Sequence, residues 1–126
     1  MSTNGHLAGR KPTVLVTEDE KGIRDLVRTT LEESGYRVLS ACDGCDALER
    51  AQNYSGSIDL LLTDRIMPRL GGKELAQRLR VQRPLLKVLY ITGYCGTRRE
   101  EETETVVLKP FSLESLCNKV REILDS

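Results

Sequence analysis

Four short apolar runs in this chain each end on residues suited to phosphoryl or metal chemistry, and that shared position constrains the fold most. Val14-Leu15-Val16 leads through Thr17 into Glu18-Asp19-Glu20, and Ile58 to Leu62 leads through Thr63 into Asp64. Val88 to Ile91 ends at Thr92, and Val106-Val107-Leu108 ends at Lys109. An open sheet of parallel strands binds its ligands outside the carboxyl ends of those strands. If these runs are neighbouring parallel strands, carboxylates, a hydroxyl and an ammonium converge on one crevice.

The segments between the runs supply the helices such a sheet needs. Ile23, Leu26, Val27, Thr30 and Leu31 recur at helical spacing, which predicts a helix over about residues 20–33, ended by Ser34-Gly35. Tyr36 to Ala41 reads as a second strand. Gly44 opens a helical stretch with Ala47, Leu48 and Ala51 on one face, ending near Tyr54-Ser55-Gly56. Ile58 to Thr63 is nearly continuous in apolar character, as expected of a central strand covered on both sides. Residues 64–72, DRIMPRLGG, form a loop punctuated by proline and glycine.

A helix over about 73–82 follows, closed by Pro84, then strands at Leu86–Ile91 and Thr105–Leu108. From Ser112, an expected N-cap, Leu113, Leu116, Cys117, Val120, Ile123 and Leu124 give the clearest helical stripe in the chain. Repeated βα units of this length imply a doubly wound α/β fold, a parallel sheet with helices on both faces. The stretch GYCGTRREEETET after Thr92 is polar almost throughout, which predicts a short helix or irregular loop of low local stability.

Composition narrows the function classes. The 126 residues suit one domain, with a lead-in at 1–11 expected to be disordered and a folded domain at 12–126. Charged residues are 30% of the chain, yet the formal net charge is zero, so nothing points to nucleic acid. No apolar stretch is long enough to span a bilayer, and the absence of a secretory pattern predicts a cytoplasmic setting. Cys42, Cys45, Cys95 and Cys117 are then expected as reduced thiols. Cys42 and Cys45 form a C-x-x-C pair, but the single histidine, His6, sits in the lead-in, so a structural zinc site lacks ligands. The pair reads as small residues around a helix start, with a redox dithiol as the alternative.

Glu18, Asp19 and Asp64 would form a cluster of hard carboxylate oxygens, which suits magnesium with its retained waters and phosphate ligands. A carboxylate can also act as the attacking nucleophile and become an aspartyl-phosphate. Lys109 would compensate charge on the transferring group and Thr92 would donate a hydrogen bond. Each residue also has an ordinary use. Asp19 could cap the following helix, Asp64 could sit in a turn, Thr92 could pack at a strand end and Lys109 could be solvated. Those uses do not explain why all four fall at the same end of successive strands.

The motifs VLVTEDE at 14–20, DLLLTDRIMPRLGG at 59–72, VLYITG at 88–93 and VVLKPF at 106–111 make the chain resemble the receiver domain of two-component response regulators over about residues 12–125. The resemblance implies a flavodoxin-like, five-stranded sheet in the order 2-1-3-4-5. It implies that Asp64 accepts a phosphoryl group from a histidine of a partner kinase or phosphotransfer domain, with autodephosphorylation but no turnover of a separate substrate. Asp19, Asp64 and the backbone carbonyl of Ile66 would bind Mg2+ directly and Glu18 through water, while Thr92 and Lys109 would contact the phosphoryl oxygens. A cis Lys109–Pro110 bond is also implied.

Two departures from the family stand out. An aromatic residue usually lies three positions before the lysine, where this chain has Val106. The stretch from Thr92 to Lys109, where the family's fourth helix belongs, is shorter than usual, so a shortened or irregular helix is expected there. The phrasing VLYITGY followed by KPFSLESLCNKVREIL is similar to hybrid-kinase receivers, and either a stand-alone receiver or one from a hybrid kinase fits. A docking module that works without phosphorylation is the main alternative function. An aspartate-nucleophile hydrolase is a third, disfavoured because Glu18-Asp19-Glu20 does not match the D-x-D spacing of haloacid-dehalogenase-type enzymes. The sequence leaves the cognate kinase, downstream target and oligomeric state open.

Overall fold

The structure is a computed structural model that describes residues 11–65, 67, 69–92, 106–108 and 112–125, with Thr92 and residues 106–108 described as backbone. Elements alternate in the order β1 (Thr13–Thr17), α1 (Lys21–Glu33), β2 (Arg37–Ala41), α2 (Gly44–Asn53), β3 (Leu60–Asp64), α3 (Gly72–Gln82), β4 (Lys87–Thr92), β5 (Val106–Leu108) and α4 (Leu113–Asp125). The five strands are parallel and lie in the order β2-β1-β3-β4-β5, as expected.

Period-two alternation divides the sheet's side chains between two apolar layers. Val14, Val16, Leu60, Leu62, Leu89 and Ile91 face one way and pack with Val27 and Leu31 of α1 and Leu116, Val120 and Leu124 of α4. Leu15 and Leu61 face the other way, onto Ala47 and Ala51 of α2 and Leu75, Ala76 and Leu79 of α3. β1 and β3 are buried along their full length, so their apolar runs are continuous, whereas β2 at the sheet edge is buried only at Ala41.

Local chemistry sets the element ends. α1 closes in a Schellman arrangement: Gly35 takes φ +101°, its amide donates to Glu32 O, and the Tyr36 amide reaches Leu31 O at 3.1 Å. α2 starts at Asp43, whose carboxylate accepts from the Asp46 amide at 2.8 Å, while Asp46 accepts in return from the Cys42 amide at 3.0 Å. Ser112 caps α4 as expected, accepting from the Ser115 amide at 3.0 Å. Arg83, following α3, donates to the carbonyls of Gly56, Ala51 and Tyr54 and ties α3 to the end of α2.

β3 runs from Leu60 to Asp64, two residues later at its start than hydropathy predicts. Ile58 is buried in the α2–α3 layer below the strand, and the Asp59 carboxylate accepts from the Thr13 amide at 2.8 Å. The expected lead-in falls almost wholly outside the described residues, as do Ile66, Cys95, Lys109, Pro110 and the stretch where a shortened helix is predicted.

Candidate functional site: an acidic cluster at the strand ends

Strand register builds the site. Thr17 of β1 is level with Thr63 of β3, so the next residues, Glu18 and Asp64, leave the sheet side by side. The Glu18 amide extends the ladder one step by donating to Ala41 O at 3.1 Å, and Arg24 from α1 donates to Glu18 O at 2.8 Å. These bonds fix the backbone where β1 turns into α1. Glu18 is 2% exposed and Asp64 8%, while Asp19 is open to solvent.

The helix after β1 is capped differently from the ordinary use weighed for Asp19. Glu20 occupies the N-cap without a side-chain bond, and its own amide donates to Glu18 Oε2 at 3.2 Å. Asp19 is thereby left beside the other two carboxylates. Glu18, Asp19 and Asp64 each offer an oxygen within 4.8 Å of the others, the only such grouping among the described residues. Two unit charges at that separation repel by roughly 3 kcal/mol at an effective dielectric of 20. The buried pair Glu18 and Asp64 therefore gains most from a cation. Hard oxygen donors without sulfur or imidazole fit a hard divalent ion.

The loop after Asp64 is held against two elements. Gly72 opens α3 so close to β3 that a Cβ there would lie 2.5 Å from Asp64 O, and its amide donates to Arg65 O at 2.9 Å. Gly44 at the start of α2 lies under Leu70, where a Cβ would meet the Leu70 side chain and carbonyl at 2.8 Å. Arg69 takes φ +69°, a strained value for a side-chain-bearing residue, and is held there by an ion pair with Asp43. On the other side the Arg65 amide donates to Ile91 O at 3.0 Å, and the Arg65 guanidinium lies over the Tyr90 ring. Arg24, Asp43, Arg65 and Arg69 all support the site, and none was singled out from sequence. Only the glycine pair 71–72 carried a legible signal, as a turn.

Thr92 ends β4 one residue beyond Ile91, the register partner of Asp64, and its backbone is level with Leu108 of β5. Lys109 and Ile66, the remaining expected site residues, lie outside the described residues. Cys42 and Cys45 flank the α2 N-cap as free, exposed thiols, in line with the structural reading. Partial desolvation of the sulfur and the neighbouring Asp43 and Asp46 carboxylates push the Cys42 thiol above its ordinary pKa. Among the described residues no helix is long and apolar enough to cross a membrane.

A doubly wound parallel sheet with carboxylates grouped at the carboxyl ends of β1 and β3 defines a flavodoxin-like domain with an acidic cluster that could hold a metal. The chain belongs to the response regulator receiver domain family, which it matches over residues 14–121, and is thus a phosphoacceptor domain of two-component signalling. It is 35% identical over 116 residues to the response regulator receiver protein CpdR of Brucella abortus, covering 88% of this chain and 95% of that one. To the sensor kinase CckA of the same organism it is 32% identical over 118 residues, 90% of this chain but 12% of the kinase. A crystal structure of the receiver domain from the hybrid histidine kinase CckA superposes with a TM-score of 0.77 at 34% identity, covering 89% of this chain and 98% of that one.

Proposed function

We propose that Asp64 is the phosphoacceptor and that it works with Mg2+ held by Asp19, Asp64 and the Ile66 carbonyl, with Glu18 acting through water. The observation that carries this is the convergence of three carboxylates from two strands, two of them nearly buried, at the ligand-binding end of the sheet. Asp64 is the member that closes a fully buried strand. One carboxylate oxygen of Asp64 attacks the phosphorus of a phosphohistidine on a partner kinase or phosphotransfer domain. The P–O bond forms as the P–N bond breaks, and the imidazole leaves as a neutral ring once protonated. When bound there, Mg2+ would compensate charge on the phosphoryl oxygens. Thr92 and Lys109 contact those oxygens, the first as a hydrogen-bond donor and the second as a point charge. Glu18, from its buried position, would bind such a metal through water, and Arg24 holds the Glu18 backbone in place. Hydrolysis of the aspartyl-phosphate returns the domain to its starting state in the cytoplasm, without turnover of a separate substrate.

Acetyl phosphate tests the reading without a partner protein. Intact mass should show a phosphate-sized gain for wild type with Mg2+, and none for Asp64→Asn or in chelator. Magnesium affinity should also fall in Asp64→Asn. A gain of equal size in Asp64→Asn would place the acceptor elsewhere. If neither acetyl phosphate nor a phosphorylated histidine donor labels the wild type, the domain is a docking module.

A further inference from the structure

Arg65 follows the proposed acceptor directly, one residue past the end of β3 and beside β4. There its guanidinium carbon lies 5.5 Å from the centroid of the Tyr90 ring, within cation–π range. Tyr90 sits in β4 between Leu89 and Ile91, which belong to the α1–α4 layer, so its ring faces the α3 side, where it is 6% exposed. The Arg65 amide is bonded to Ile91 O, so the residue after Asp64 is tied to β4 through both its backbone and its side chain. Tyr90 is in turn the register partner of Val106 in β5.

From this geometry we infer that Arg65 and Tyr90 form a charge-sensitive reporter pair, in which phosphorylation of Asp64 draws the guanidinium off the ring and alters Tyr90 at the β4–β5 side of the sheet. The inference rests on Asp64 being the acceptor. The physical reason is a difference in range. Attraction between a cation and a ring quadrupole falls off faster with distance than attraction between a cation and a full charge. An added phosphoryl group one residue away therefore competes effectively with a ring that carries no net charge. Because Tyr90 is nearly buried and lies in β4 between β3 and β5, loss of the guanidinium changes a packed position.

Tyrosine labelled with fluorine makes the pair visible, and Tyr90→Phe assigns its resonance among the four tyrosines of the chain. With magnesium and beryllofluoride as the phosphoryl analogue, the fluorine spectrum also reports the analogue bound at Asp64. Wild type should show bound analogue and a shifted Tyr90 signal. Arg65→Gln should show bound analogue with most of that shift lost, and Arg65→Lys an intermediate shift. Bound analogue with an unmoved Tyr90 in wild type, or an equal shift in Arg65→Gln, overturns the reporter pair alone. Absence of bound analogue in folded wild type overturns the acceptor assignment and this inference with it. Should Arg65→Gln fail to fold, Arg65→Lys decides the question, since a wild-type shift in that variant refutes a role for the planar guanidinium.

Discussion

Replacing Gly72 with alanine should damage the domain, while the same change at Gly22 should help it. Both glycines lie in the first turn of a helix, Gly22 in α1 and Gly72 in α3. Alanine in a helix is favoured over glycine by up to about 1 kcal/mol, and a new Cβ at Gly22 meets nothing within 4 Å. At Gly72 the Cβ would lie 2.5 Å from Asp64 O, 3.0 Å from Arg65 Cα and 3.2 Å from Thr63 Cγ2. Relief requires α3 and β3 to part by about 1 Å, and overpacking of that kind costs about 1–3 kcal/mol. Subtracting about 1 kcal/mol of helix gain leaves a net loss of about 0–2 kcal/mol, centred near 1. For a domain near 100 residues, each kcal/mol moves the melting temperature by roughly 4–8 °C. Calorimetry should therefore place Gly72→Ala roughly 4–8 °C below wild type and Gly22→Ala a few degrees above it. The displaced backbone is that of Asp64 itself, so labelling by acetyl phosphate should slow in Gly72→Ala and stay unchanged in Gly22→Ala. A Gly72→Ala protein at least as stable as wild type would show that the close approach to Asp64 is not a packing constraint.

Two further outcomes follow from bonds that cross between elements. Arg83→Ala leaves the carbonyls of Gly56, Ala51 and Tyr54 without their charged donor, and urea unfolding should show a loss of about 2–3 kcal/mol. Arg83→Lys should recover little, because one ammonium cannot reproduce the planar fork. Asp46 gives a pH signature. Burial opposes its ionisation, but the Cys42 amide and the nearby Arg50 guanidinium outweigh that and hold its pKa below the carboxylate value of 3.8. A depressed folded-state pKa contributes stability above the unfolded value and loses it as pH falls through the folded one. Asp46→Asn should therefore be less stable than wild type near neutral pH, and the gap should narrow below about pH 4. A gap independent of pH would mean that the carboxylate charge contributes nothing.

Most of the fold was legible because burial dictated residue choice. β1 and β3 are covered on both faces, so their apolar runs show in the sequence, and the helices show the spacing of the faces they bury. The cluster Glu18, Asp19 and Asp64 was legible for a related reason. Parallel strands in register bring their carboxyl ends together, and position along a strand is readable from sequence. Hydropathy failed where burial and pairing part company. Ile58 is apolar for the α2–α3 layer and not for the ladder, so β3 begins later than its apolar run. The pairs Asp43–Arg69 and Arg65–Tyr90 join residues distant along the chain, and nothing local in either partner reports the other. The tight fit of Gly44 and Gly72 depends on how near α2 and α3 approach the loop after Asp64, a distance that composition does not carry.

The two apolar layers are completed at different moments of synthesis. Among the described residues, every buried member of the α2–α3 layer, from Leu15 to Leu86, precedes the end of β4. The opposite layer needs Leu116, Val120 and Leu124, so it waits for the last helix. A nascent chain that has extended past β4 can close one side of its sheet while Leu62, Leu89 and Ile91 remain partly open on the other. Exposed apolar sheet surface of this kind is what drives association of incomplete chains. Slow translation just before residues 113–125 would lengthen that exposure, which ends when α4 arrives to cover the layer.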